Sequence, residues 1–132
     1  MLAYLWIAIG GALGSVARYW LSGAVARQFG ETFPWGTLIV NVSGSLVIGF
    51  LAALVEPAGR RFIGPTGRQF FMYGVCGGYT TFSSFSLQTL ELIRAGDWLK
   101  AGGNAVLSVL LCMIAVWVGY LLGAATGSTK GN

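Results

Sequence analysis

The residues best placed to do chemistry lie in a polar, glycine-rich run, residues 74–86, within an otherwise apolar segment. Gly77-Gly78 is followed there by Thr80-Thr81. Because a glycine destabilises a helix interior by about 1 kcal/mol relative to alanine, and threonine is β-branched, the pattern predicts that the helix breaks at the glycines. Lipid cannot satisfy the C=O and N–H groups that a break releases, so a break at membrane depth needs protein or a polar cavity around it. The run therefore predicts an ion site.

Two stripes of side chains follow the break if the helix resumes near Thr80. Phe82, Phe85 and Thr89 form one stripe. The other stripe is polar, with members at i, i+3, i+7 and i+10, and consists of Thr81, Ser84, Gln88 and Glu91. Hydroxyl groups and ring edges are expected to line one wall, although spacing alone favours ordinary packing for the two phenylalanines.

Composition indicates an integral membrane protein. Of the 132 residues, 55% are hydrophobic and 9% are charged, against about 25% charged in globular proteins. At roughly 20 residues a span, the length holds about four transmembrane helices. We predict an all-α fold forming one transmembrane domain over residues 1–132, with a broken third helix and with spans at 2–24, 35–55, 68–94 and 98–125.

The same composition argues against other classes. The chain has no histidine and four acidic residues, which leaves little for acid–base catalysis or for metal binding by side chains. The eight basic residues are spread along the chain apart from Arg60-Arg61, so nucleic acid is not an expected partner. We predict a protein that is not an enzyme.

Three faces of small or polar residues must position the break. Gly10, Gly14 and Arg18 recur at every fourth position, which predicts close approach of another helix. Arg18 must either snorkel to the interface or serve a vestibule. Asn41, aligned with Thr37 and Ser45, either holds helices together or faces a polar pathway. A third face contains Asn104, Ser108 and Cys112.

Charge balance suggests how copies of the chain assemble. Four spans put Arg60, Arg61, Arg68 and Lys130 on one side and Arg18, Arg27, Arg94 and Lys100 on the other. Four against four gives no preferred orientation, so opposite orientations can pair as an antiparallel dimer. If its axis crosses the break, backbone carbonyls of two copies meet there and make a site for a hard cation.

Three motifs, together and in order, resemble the Fluc (CrcB) fluoride channel family. They are Gly14-x-x-x-Arg18-Tyr19, Gly36-Thr37-Leu38-Ile39-Val40-Asn41-x-x-Gly44, and Gly77-Gly78-Tyr79-Thr80-Thr81-Phe82-Ser83-Ser84-Phe85. The resemblance covers essentially the whole chain. It implies a dual-topology antiparallel homodimer in the prokaryotic inner membrane, with two pores lined by both subunits, that exports fluoride passively and relieves its toxicity.

The resemblance also implies roles for single residues. Phe82 and Phe85 match the phenylalanines whose ring edges contact fluoride, and Asn41 matches the pore asparagine. A fluoride pathway would further include Thr81 and a rail of hydroxyls from Thr37, Ser84 and Ser108. The carbonyls of Gly77 and Thr80 from both subunits would ligate a central structural Na+. The chain departs from some relatives at Gln88, where they carry glutamate, and at Cys112, where they carry serine.

Two other classes remain open from the residues alone. A proton-coupled exporter of the small multidrug type would need a carboxylate in the middle of the membrane. The only candidate, Glu91, falls near the end of the third span, close to Arg94. A membrane scaffold without transport would explain the small-residue faces but not the phenylalanine and hydroxyl stripes.

Overall fold

The computed structural model describes residues 1–55 and 63–128, and every regular element in those ranges is a helix. In chain order these are α1 (Leu2–Phe29), α2 (Trp35–Val55), α3 (Pro65–Gly67), a π-helix (Arg68–Cys76), α4 (Gly77–Tyr79), α5 (Phe82–Arg94) and α6 (Trp98–Ser128). By length and composition, α1, α2 and α6 could each cross a membrane as one unbroken helix. The third apolar segment is instead divided into four shorter pieces.

Most large apolar side chains lie on the outside of this fold. Val25, Leu38, Val40, Cys76 and Ala101 are the buried hydrophobic residues of the described chain, whereas leucines, valines and aromatic residues are exposed along all the long helices. An apolar surface this extensive is typical of a protein surrounded by lipid or by a partner. The described part of the chain is all-helical and has the surface of a membrane protein.

Glycines bring α2 and α6 into backbone contact. A Cβ on Gly49 would overlap the Val116 carbonyl of α6, and one on Gly119 would overlap the Leu46 carbonyl of α2. Such close approach of helix backbones is what small residues permit in membrane proteins. The α2–α6 pair therefore forms one half of the fold.

A second glycine-lined crossing joins α1 to the third segment. A Cβ on Gly10 would overlap the Phe70 carbonyl, and one on Gly14 would overlap the Val75 carbonyl. In the third segment itself, Gly78 lies directly against the backbone of Gly11 of α1. The predicted close-packing face of the first helix is confirmed.

The helix breaks after the glycines rather than at them, so the prediction of a break at Gly77-Gly78 is wrong. Gly77 has φ −63° and ψ −37° and belongs to α4. The extended residues are Thr80, with ψ 154°, and Thr81, with φ −150° and ψ 113°. Helix propensity is a weak prior that packing overrides, and here Gly78 is needed for contact with α1.

Several predicted boundaries differ from the structure or fall outside it. The first helix continues to Phe29 instead of ending at residue 24, and Gly30, with φ 79°, terminates it. The third segment becomes helical at Pro65. Arg60, Arg61 and Lys130, which enter the charge balance, lie outside the described residues.

Candidate ion-permeation site

The side chain of Asn41 binds the extended backbone at the break. Its Oδ1 accepts a hydrogen bond from the Thr81 N–H at 2.7 Å, and its Nδ2 donates to the Thr81 carbonyl at 2.9 Å. Buried or half-buried peptide groups without a helical partner need such substitutes. Asn41 therefore pairs with both main-chain polar groups of Thr81, the extended residue at the break.

Thr81 also begins the next helix. Its Oγ1 accepts a hydrogen bond from the Ser84 N–H at 3.1 Å, which is the usual interaction of a threonine N-cap. The same hydroxyl donates to Ser84 Oγ at 3.1 Å. Because this bond uses the Thr81 proton, the proton of Ser84 stays available to another acceptor.

Two further contacts from α2, at Ser43 and Gly44, were not anticipated from the sequence. Ser43 Oγ lies 2.8 Å from the hydroxyl of Tyr79, the last residue of α4. Gly44 faces Thr80 and the Tyr79 ring so closely that a Cβ would overlap the Thr80 methyl group. The Asn41-x-x-Gly44 spacing was the available signal, because it places both residues on one face of α2.

Arg18 reaches the same region from α1. Its Nε donates to the Gly78 carbonyl at 3.2 Å, and Ser15 Oγ donates to the same oxygen at 3.4 Å. A guanidinium at the C-terminal end of a helix stabilises the partial negative charge of its last carbonyls. Arg18 thus has a partner within the protein, at the break.

Two main-chain oxygens at the break, those of Gly77 and Thr80, lack a helical hydrogen-bond donor in the described chain. The Thr81 N–H would bond to the Gly77 carbonyl in a continuous helix but bonds to Asn41 instead. The Thr80 carbonyl accepts no hydrogen bond within residues 1–55 and 63–128. In the same part of the chain there is no cluster of His, Cys, Asp or Glu suited to a metal. The donor set is therefore neutral carbonyl oxygen, which suits a hard monovalent or divalent ion.

Phe82 and Phe85 lie next to each other directly after the break. Their ring centroids are 5.3 Å apart, with 51° between the ring planes. Phe82 is 76% exposed in the single chain, whereas Phe85 is half-buried. Aromatic rings carry partial positive charge at their edges, so this pair can present ring edges to an anion.

A buried polar cluster joins α5 and α6 beside Phe85. Asn104, which is only 1% exposed, donates from Nδ2 to Thr89 Oγ1 at 2.9 Å. Thr89 Oγ1 donates to the Phe85 carbonyl at 2.7 Å, and Ser108 Oγ donates to Asn104 Oδ1 at 3.4 Å. The sequence placed Asn104 and Ser108 on one polar face, but it did not identify their connection to Phe85.

A cavity of about 920 Å³ lies between α1, the following loop, the start of α2 and α5. Thr37, Gln88 and Glu91 line it together with Arg27 and aromatic residues. Gln88 Oε1 is the one buried side-chain N or O atom without a hydrogen-bond partner in the described chain. Thr37 and Gln88 therefore face a space that water or an ion can enter.

The predicted site residues form separate contacts rather than one continuous chain. Asn41, Thr81 and Ser84 are connected by hydrogen bonds, and Phe82 contacts Phe85. Within the described ranges, the hydroxyls of Thr37, Ser84 and Ser108 make no hydrogen bonds with one another. A rail of these three hydroxyls stays a prediction.

Comparison with known proteins identifies the family. The family model described as "CrcB-like protein, Camphor Resistance (CrcB)" matches residues 5–120. A fluoride-specific ion channel FluC of Opitutus terrae is 61% identical over 132 residues, covering 100% of both chains. The chain belongs to the Fluc/CrcB fluoride channel family.

Other Fluc/CrcB relatives are nearly as similar. The FluC of Methylocella silvestris is 55% identical over 97% of this chain and 98% of its own length. The FluC of Rhodospirillum rubrum is 61% identical over 91% of this chain and 93% of its own. The family consists of ion channels rather than enzymes, so the family resemblance and the non-enzymatic class predicted from the sequence are confirmed.

Proposed function

We propose that this protein is a fluoride-selective channel of the prokaryotic inner membrane, which lets F− leave the cell passively and so relieves fluoride toxicity. The observation that carries the proposal is the break at Thr80–Thr81. Ring edges, hydroxyls and an amide lie at or next to this break in an apolar chain, and all of them are neutral groups suited to an anion. Full-length identity of 61% to a protein named as a fluoride-specific channel supports it.

The proposed pathway uses weak donors in succession. Phe82 and Phe85 contribute ring edges, Ser84 and Thr37 contribute hydroxyls, and Asn41 has a second Nδ2 proton beyond the one given to Thr81. None of these groups carries a formal charge, so none would trap the anion. Successive weak sites replace the hydration shell while still allowing exit, and a narrow path excludes larger halides.

The working unit in this proposal is an antiparallel homodimer of four-span subunits, with two pores that both subunits line. An exposed fraction of 76% for Phe82 supports a partner at this face, because a pore wall must be enclosed. Balanced basic residues support insertion in both orientations. The third apolar segment, interrupted within the membrane, would complete the four spans together with α1, α2 and α6.

The proposal includes a structural Na+ where the two breaks meet. The carbonyls of Gly77 and Thr80 from both subunits would hold it, since both lack a helical donor within the described chain. When bound, the ion supplies fixed positive charge that raises the potential felt by a nearby anion. Arg18 bonds to the carbonyl between them in sequence and adds charge of the same sign.

An assay on reconstituted protein tests the function. Liposomes loaded with potassium fluoride should release F− when a potassium ionophore permits charge balance, at a rate that a pH gradient does not change. Protein-free liposomes and chloride-loaded liposomes are the controls. Release that depends on a pH gradient, or drug efflux, would favour an exporter. An exporter needs a carboxylate in the middle of the membrane, whereas Glu91 is exposed at the rim of the cavity. The absence of any flux would favour a scaffold.

A further inference from the structure

Asn104 is the most deeply buried polar side chain in the described part of α6. It is 1% exposed, whereas Ser108 on the same helix is 7% exposed. Burying an amide in an apolar protein is unfavourable unless its donor and acceptor both find partners. Asn104 meets this requirement by donating to Thr89 and accepting from Ser108.

Thr89 connects Asn104 to Phe85 of the proposed pathway, and Ser108 is itself a proposed pathway residue. Thr89 passes the interaction to the backbone of α5 by donating to the Phe85 carbonyl at 2.7 Å. A hydroxyl bonded to the carbonyl four residues earlier influences the local geometry of a helix. The Asn104 donor fixes that hydroxyl, because Thr89 Oγ1 then accepts from one helix while donating to the other. Phe85 is thereby held at a defined rotation and height relative to α6.

The second partner, Ser108, directs its hydroxyl proton toward Asn104. The Ser108 hydroxyl donates to Asn104 Oδ1 over 3.4 Å, which is long for a bond between two oxygens. A long bond is weak, so Ser108 can exchange it for a bond to a passing anion at little cost. Asn104 therefore orders the serine when no anion is near, without holding its proton strongly.

We infer that Asn104 is a positioning residue for permeation, which orients Phe85 through Thr89 and the Ser108 hydroxyl through its own carbonyl oxygen. The inference rests on the proposed function, because Phe85 and Ser108 matter for conduction only if fluoride passes them. It extends that function to a residue that the resemblance did not assign. It also explains why a fully buried amide is present between α5 and α6.

Thr89 offers a matched pair of variants for the test. Thr89→Val keeps the shape but removes the hydroxyl, so it should lower fluoride flux by about tenfold, the size expected for leaving buried partners unpaired. Thr89→Ser keeps the hydroxyl and should restore flux to near the wild-type rate. Asn104→Leu should resemble Thr89→Val, and each variant must elute from size exclusion like the wild type.

Double-mutant cycles separate positioning from general stability. If Asn104 acts through Ser108, the combination of Asn104→Leu with Ser108→Ala should reduce flux little more than the stronger single change, since coupled sites are not additive. Thr89→Val with Phe85→Ile should behave likewise. Additive losses in both cycles, or wild-type flux in folded Thr89→Val, would overturn the inference. If wild-type protein itself passes no fluoride, the proposed function fails instead.

Discussion

The side-chain amide of Asn41 pairs with both the N–H and the carbonyl of Thr81, much as a residue of a neighbouring strand would. One residue of α2 thus takes the place of two missing helical hydrogen bonds. Spacing left Asn41 open between a helix contact and a pathway residue. The structure shows the contact, and the remaining Nδ2 proton keeps the pathway role available.

Replacing Asn41 should therefore affect stability as well as flux. Asn41→Ala leaves the Thr81 N–H and carbonyl unpaired, and we expect it to lower the free energy of unfolding by about 1–3 kcal/mol. Asn41→Asp retains an acceptor for the N–H but places a negative charge on the proposed path, which repels an anion, so it should block fluoride. Hydrogen exchange of the peptide containing Thr81, thermal unfolding in detergent and liposome flux are the measurements. Unchanged exchange protection in Asn41→Ala would contradict the assigned contact.

The two phenylalanines after the break provide a second prediction. Phe82→Ile and Phe85→Ile each remove a ring edge while keeping an apolar side chain, so fluoride flux should fall by at least about tenfold. The dimer should persist in both variants. Phe29→Ile is the matched control, because Phe29 is 62% exposed at the far end of α1. Wild-type flux in both folded variants would return the pair to ordinary packing.

Orientation can be tested by shifting the balance of basic residues. Gln28→Lys with Thr32→Lys adds charge at the exposed end of α1 and in the loop after it, and Thr66→Lys with Ala125→Lys adds charge on the other predicted side. Each double variant should insert in one orientation and lose activity alone. Co-expression of the two should restore flux. An active population shown to have a single orientation would refute the antiparallel dimer.

Variants of Gly77 and Gly78 distinguish effects on folding from effects on the proposed cation site. A Cβ on Gly78 would overlap the Gly11 backbone, so Gly78→Ala should destabilise the chain by about 1–3 kcal/mol. A Cβ on Gly77 would come no closer than 3.8 Å to Met72 O. Gly77→Ala should therefore fold normally.

Sodium removal gives the corresponding functional measurement. Prolonged exchange of Na+ for a large organic cation on both sides should reduce wild-type fluoride flux, and Gly77→Leu should already show the reduced rate. Thr80→Ser changes no main-chain ligand and is the control. Full flux after the ion is shown by elemental analysis to have left would remove Na+ from the conduction mechanism.

The contacts of Asp97, in the loop before α6, predict that the stability of the protein depends on pH. Hydrogen bonds from the Lys100 side chain and backbone hold the pKa of the Asp97 carboxyl below its ordinary value. A lowered folded-state pKa means that the stabilisation is present above the unfolded pKa and is lost as pH falls through the folded one. Thermal unfolding should therefore show this loss in acid. Asp97→Asn, which can still accept from the Lys100 N–H at 3.3 Å, should remove the pH dependence.

The sequence was most informative where local physics decides the outcome. Pro34 and Trp35 mark the beginning of α2, and the apolar run fixes its length, so the structural bounds Trp35–Val55 match the predicted segment. Small residues at every fourth position in α1 likewise predicted a close helix crossing, which Gly10 and Gly14 make.

Sequence reasoning was less successful where a residue far away in the sequence determines the local structure or the hydrogen-bond partner. Glycine propensity located the break three residues too early, because contact of Gly78 with α1 keeps α4 helical. The partner of Asn41 lies 40 residues away, and the partner of Arg18 lies 60 away. Neither pairing follows from periodicity, since both depend on how helices dock. The π-helix Arg68–Cys76 also has no signal in composition.

The glycine-lined crossing of α1 and the third segment limits how natural or engineered sequences can recombine. Side chains at an interface can adjust their rotamers to an altered neighbour, but two backbones in direct contact have no such adjustable part. A chimera that takes residues 65–94 from one relative would fit only where the facing turns of α1 keep glycine at positions 10 and 14. The two segments constrain each other in this way although the whole of α2 lies between them in the chain.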